Sequence, residues 1–140
     1  MALGRQGELV EAIAQKVLNS VPSPWKALAY KATHFTGYAE SEVLVTRVDG
    51  SVVRSTPPHD LPDRELRADM YRERSGTWFS MAMVITPDGR ASTSFNYTEE
   101  PPADGELNPW LFEDDLARFP RDDAHMPDWL RAWLDLAAKG

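Results

Sequence analysis

The chain has 140 residues, of which 42% are hydrophobic and 26% charged, with no cysteine and a formal net charge of −7. That length suits one domain, residues 1–140, burying about two thirds of its unfolded surface in a single core. The absence of cysteine excludes disulfides and thiolate zinc sites, and the acidity argues against nucleic acid as a partner, because phosphates would be repelled.

Leu9, Val10, Ile13, Ala14, Val17, Leu18 and Val21 recur with the 3.6 period, which predicts an amphipathic helix over residues 5–20. Its Glu8, Glu11 and Lys16 are unlike the uncharged apolar core of a signal peptide, and no run approaches the ~20 apolar residues of a membrane span. No membrane partner is therefore expected, and the cytoplasm is the expected location. Val21-Pro22-Ser23-Pro24 stops the helix, since proline cannot continue its hydrogen-bond ladder.

Three strands are expected next, at Trp25 to Phe35, Glu42 to Val48 and Ser51 to Ser55. Gly37 turns the first into the second, and Asp49-Gly50 supplies the positive-φ pair of a tight hairpin. Pro57-Pro58 breaks the sheet, and Leu61 to Arg74 fits a second helix. Its stretch from Asp63 carries four arginines against four acids, a neutral face laced with salt bridges. From Thr77 to Thr86, alternation puts Phe79, Met81, Met83 and Ile85 on one side and Trp78, Ser80, Ala82 and Val84 on the other. After the Pro87-Asp88-Gly89 turn a strand returns with Phe95 and Tyr97 inward and Ser92, Ser94 and Asn96 outward.

Residues 98–128 follow as an acidic, irregular segment with a short helix at Glu113 to Phe119, and a last helix spans 127–138 with Trp129, Leu130, Trp133 and Leu134 in its apolar stripe. The order α, βββ, α, ββ, then short helices indicates an α+β fold. Its antiparallel sheet should have about five strands, with helices packed on one face as a two-layer sandwich.

Chemistry is sparse in this chain. The residues show no HExxH, HxH, EF-hand or glycine-rich phosphate motif, so no metal or cofactor is expected. His59-Asp60 has the makings of a base with its orienter, although adjacent residues in a proline-rich loop more often make a simple turn. The carboxylate runs Glu99-Glu100 and Glu113-Asp114-Asp115 lie in segments where consecutive charges stay in water, unsuited to acid catalysis. No catalytic residue is assigned and no enzymatic activity is expected.

The acidic segment is the strongest functional signal. It holds ten acids against Arg118 and Arg121, while the other 109 residues hold 12 acids and 13 bases. Trp110, Phe112 and Phe119 interrupt it, and an acidic surface with apolar anchors suits a basic protein partner. The same composition fits a solvated loop whose aromatics belong to the core, and Trp110 and Phe112 divide between those readings. The candidate partner-binding residues are Glu99, Glu100, Asp104, Glu106, Trp110, Phe112, Glu113, Asp114 and Asp115.

The run from helix to Val21-Pro22-Ser23-Pro24-Trp25, then Gly76-Thr77-Trp78-Phe79-Ser80-Met81, Asp88-Gly89-Arg90 and Phe95-Asn96-Tyr97, resembles the YezG-like immunity proteins of bacterial polymorphic toxin systems over residues 8–100. The resemblance implies a two-layer α+β domain without catalysis that neutralises a cognate toxin domain, a nuclease or an NAD-consuming enzyme. The chain departs from the family after the last hairpin, where many members finish on an aromatic, basic segment. The other reading is an interaction or regulatory module with a different basic partner.

Overall fold

The computed structural model describes residues 4–103 and 105–139. In chain order it contains α1 (Arg5–Ser20), β1 (Ala27–Phe35), β2 (Tyr38–Thr46), β3 (Val52–Ser55), α2 (Asp63–Asp69), β4 (Ser80–Ile85), β5 (Ala91–Asn96), α3 (Trp110–Arg118) and α4 (Asp128–Lys139). The five strands form one antiparallel sheet in the order β3-β2-β1-β4-β5, so the fold is α+β as expected.

Strand alternation sends Leu28, Tyr30 and Ala32 of β1 to one face. The register places Leu28 opposite Val45 and Ile85, Tyr30 opposite Val43 and Met83, and Ala32 opposite Met81. All of these are buried, and Ile13 and Val17 of α1 with Leu66 of α2 cover them. Burying each of those aliphatic side chains contributes about 1.5–3 kcal/mol, which explains why short helices suffice to hold the layer. The opposite face carries Lys31, Glu42, Ala82 and Ser94, which help line an open cleft of about 520 Å³.

A second apolar cluster sits at one end of the sheet. Phe35 and Phe79 meet Phe112 of α3 and Leu130 of α4 there, with Trp129 and Trp133 packed against them. Its formation changes the expected strand phase. Trp78 joins the main core and Phe79 the second cluster, where unbroken alternation would have put Phe79 beside Met81. Both rings are buried because β4 begins only at Ser80, leaving Trp78 and Phe79 free to serve different layers.

Two helices differ from their expected spans. α2 stops at Asp69, five residues before Arg74, because the chain turns back through the Arg72–Gly76 bridge, with φ of 68° at Arg74 and 95° at Gly76. α3 starts at Trp110, three residues early, where the Asn108 side chain accepts the Trp110 N–H at 2.9 Å and satisfies one of the free donors of a first turn.

Candidate partner-binding surface

The helical period divides the residues of α3 between core and solvent. Trp110, Glu113, Asp114 and Ala117, spaced i, i+3, i+4 and i+7, are exposed, whereas Phe112 and Asp115 are buried. Phe112 is 1% exposed, with its ring 4.8 Å from Phe35 edge-on and 4.8 Å from Trp133 in a stack. It is a core residue, which corrects its assignment as a partner contact.

Asp115 is likewise withdrawn from the surface. Arg67 of α2 grips its carboxylate with both terminal nitrogens, at 2.5 and 2.8 Å. The backbone N–H and hydroxyl of Thr36, in the β1–β2 turn, donate to it at 2.7 and 2.9 Å. Arg67 also donates from Nε to the Trp78 carbonyl at 2.7 Å. This bidentate pair stitches α2, α3 and the hairpin together, and it corrects the expectation that Asp115 contacts a partner. One signal for it was present in the sequence: Asp115 stands three residues after Phe112 and next to Leu116, inside the apolar stripe.

What remains outside is acidic and aromatic. Of the ten acids in residues 98–128, Asp115 is buried, Asp104 lies outside the described residues, and the other eight are exposed. Trp110 is 52% exposed and Leu136 of α4 53% exposed, and together with Glu106, Leu107 and Pro109 they line a groove of about 490 Å³. Glu113 and Asp114 occupy the same outward face of α3 as Trp110. Glu99 and Glu100 lie in the loop after β5, apart from the groove's lining. That loop is fixed by Asn96, whose side chain donates to the Glu99 carbonyl at 2.8 Å and accepts the Glu99 N–H at 2.8 Å, and by Trp129 Nε1, which donates to the Thr98 carbonyl at 2.7 Å.

The bases of the segment do not cancel this charge evenly. Arg121 turns inward, donating to the carbonyls of Thr77 and Tyr97 at 2.8 and 2.9 Å with its guanidinium 4.4 Å from the Phe79 ring centre. Burial lowers its pKa from the ordinary arginine value. Asp122 shares a 2.6 Å hydrogen bond with His125, which lowers its carboxyl pKa.

A buried polar trio also escaped the sequence reading. Tyr30 donates its hydroxyl to Asp63 Oδ2, and His34 Nε2 lies 3.2 Å from the same oxygen. Asp63 Oδ1 has no hydrogen-bond partner among the described residues. Burial raises the Tyr30 pKa well above its ordinary value, with the Asp63 charge and hydrogen bond adding to the effect. Tyr30 and His34, four apart on β1, both face the layer covered by α2, which is the pattern that could have revealed the trio. His59 and Asp60 do not form a dyad of this kind: both are exposed, and the Asp60 carboxylate accepts Lys16 Nζ at 2.5 Å.

Among the described residues no group of three His, Asp or Glu side chains is placed to hold a metal ion, and no helix is long and apolar enough to cross a membrane. In comparisons with known proteins, no family model and no curated protein matches the chain.

Proposed function

We propose that this chain is an immunity protein that neutralises a secreted toxin domain by laying the outer face of α3 and α4 over a basic surface of that toxin. The observation that carries the reading is the groove where Trp110 and Leu136 lie exposed beside Glu106, on the face that also presents Glu113 and Asp114. A large aromatic is worth most where charged neighbours steer the partner in and apolar contact then slows its release. A toxin acting on nucleic acid or on a nucleotide cofactor binds phosphate, and the basic cleft it needs for that is complementary to this surface. The reading assigns no reaction to the chain and places it in the cytoplasm of the producing cell. The order of motifs that resembles YezG-like immunity proteins agrees with it, but with no family match the exposed surface carries the argument.

The reading requires a toxin domain encoded nearby, and co-expression of the chain with the product of a neighbouring reading frame that is toxic on its own tests it. Growth should be rescued by the native chain and lost with Trp110→Ala/Leu136→Ala, while the melting temperature of that variant stays near native. Failure of the native chain to rescue growth rejects the immunity role and leaves an interaction module for another basic partner. Full rescue by the double variant rejects the surface.

A further inference from the structure

The end of β1, the start of α2 and the C-terminal end of α3 enclose a second concavity, of about 160 Å³. It lies apart from the Trp110 groove and has the opposite electrostatic character. In a chain of net charge −7, its lining includes Arg64, Arg67, Arg118 and His34 and no carboxylate. Arg64 and Arg118 are exposed at its rim, and neither forms an ion pair among the described residues. Arg67 and His34 are buried.

Of the two buried groups, Arg67 keeps donor capacity. Arg67 uses three N–H groups on Asp115 and the Trp78 carbonyl, and a guanidinium carries more donors than that. His34 turns Nε2 to the Asp63 carboxylate, which leaves Nδ1 of a neutral ring as an acceptor, so the imidazole lines the space without donating into it. The Phe119 ring forms one wall, with the Arg67 guanidinium 5.1 Å and that of Arg118 5.7 Å from its centre. Asp115 and Asp63 stand behind Arg67 and His34, fixing both side chains without entering the lining.

Arg64 and Arg118, which have no ion-pair partner among the described residues, repel one another across this space, and an anion between them relieves that repulsion. Guanidinium forks match the geometry of phosphate and carboxylate oxygens. The volume admits about five waters, and it falls short of the ~300–1,000 Å³ of a drug-sized ligand pocket. We propose that this pocket is an oxyanion site receiving a single phosphate or carboxylate group between Arg64 and Arg118, over the Arg67 and His34 side chains. The inference is independent of the toxin-binding reading, since neither the Trp110 groove nor any acid of residues 98–128 lines this pocket.

Titration of the intact chain with inorganic phosphate, and separately with acetate, at constant ionic strength set by chloride, tests the proposal through the His34 ring resonances and binding heats. A saturable shift at His34 is expected, weakened at least about tenfold in Arg64→Ala and in Arg118→Ala, because each loses a charge-assisted hydrogen bond. Both arginines are exposed, so the variants should melt near the native temperature. Saturation by phosphate alone supports a phosphoryl site, and saturation by both ions supports a site open to a carboxylate on another protein. Shifts that track ionic strength alone, or unchanged binding in the Arg64→Ala/Arg118→Ala double variant, overturn it.

Discussion

Arg67 and Asp115 show how one pair of side chains sets the arrangement of three elements. Their side chains are 4% and 7% exposed, so neither charge has water to fall back on. Removing one partner strands the other, at a cost of about 3–5 kcal/mol, whereas replacing both with apolar groups of similar volume is far milder. Urea denaturation should therefore show Arg67→Met and Asp115→Leu each strongly destabilised and the double variant more stable than the sum of the two losses implies. Strict additivity would show that the pair contributes nothing as a pair. Tyr30 poses a related question in pH. Its pKa is raised above the ordinary 10.0, first by burial and then by Asp63, so its contribution to stability is complete below the unfolded value and lost as pH climbs beyond it. The urea midpoint should accordingly fall as pH rises past about 10. Tyr30→Phe should flatten that fall while lowering stability at neutral pH, because Asp63 loses its hydroxyl donor. An identical alkaline loss in the variant would assign it to the other tyrosines.

At the scale of the element, α3 separates two aromatic residues that are only two positions apart. Phe112→Ala should cost about 3–5 kcal/mol, since it empties the stack between Phe35 and Trp133. Trp110→Ala should change stability by about 0.5 kcal/mol or less, being half exposed, and lose partner affinity instead. Comparable losses of stability in both would place Trp110 in the core. The sequence could not separate the two, because the helix was expected from Glu113 and the capping by Asn108 that starts it at Trp110 depends on a side-chain rotamer. Where patterns are local, the reading held in the main: α1 matches residues 5–20, and turns at Asp49-Gly50 and Pro87-Asp88-Gly89 join β2 to β3 and β4 to β5, although Gly50 alone, with φ of 90°, takes the positive φ expected of the Asp49-Gly50 pair. It failed where long-range partners decide. Asp115 reads as one of three consecutive solvated acids until Arg67, 48 residues away, is brought against it. The end of α2 depends on the left-handed turn at Arg74 and on Gly76, where a Cβ would stand 2.2 Å from Arg121 Nε.

Over the whole molecule, charge is segregated. The open face of the sheet is locally balanced, with Arg54 3.1 Å from Glu42 and Lys31 opposite the same glutamate across the strands. The excess negative charge lies with the exposed acids of residues 98–128, among them those beside Trp110. Such a field acts before contact, reaching about 8 Å at physiological salt and farther when salt is low. It accelerates association with a basic partner and has little influence on release. The relevant set is Glu106, Glu113 and Asp114, because Asp115 is already neutralised by Arg67. Stopped-flow association with a basic partner should slow in Glu106→Gln/Glu113→Gln/Asp114→Asn, most at low ionic strength, with the dissociation rate nearly unchanged. Trp110→Ala should do the reverse, raising the dissociation rate at a preserved association rate. A native association rate that is the same at low and high salt would mean that these carboxylates steer nothing, whatever Trp110 contributes once contact is made.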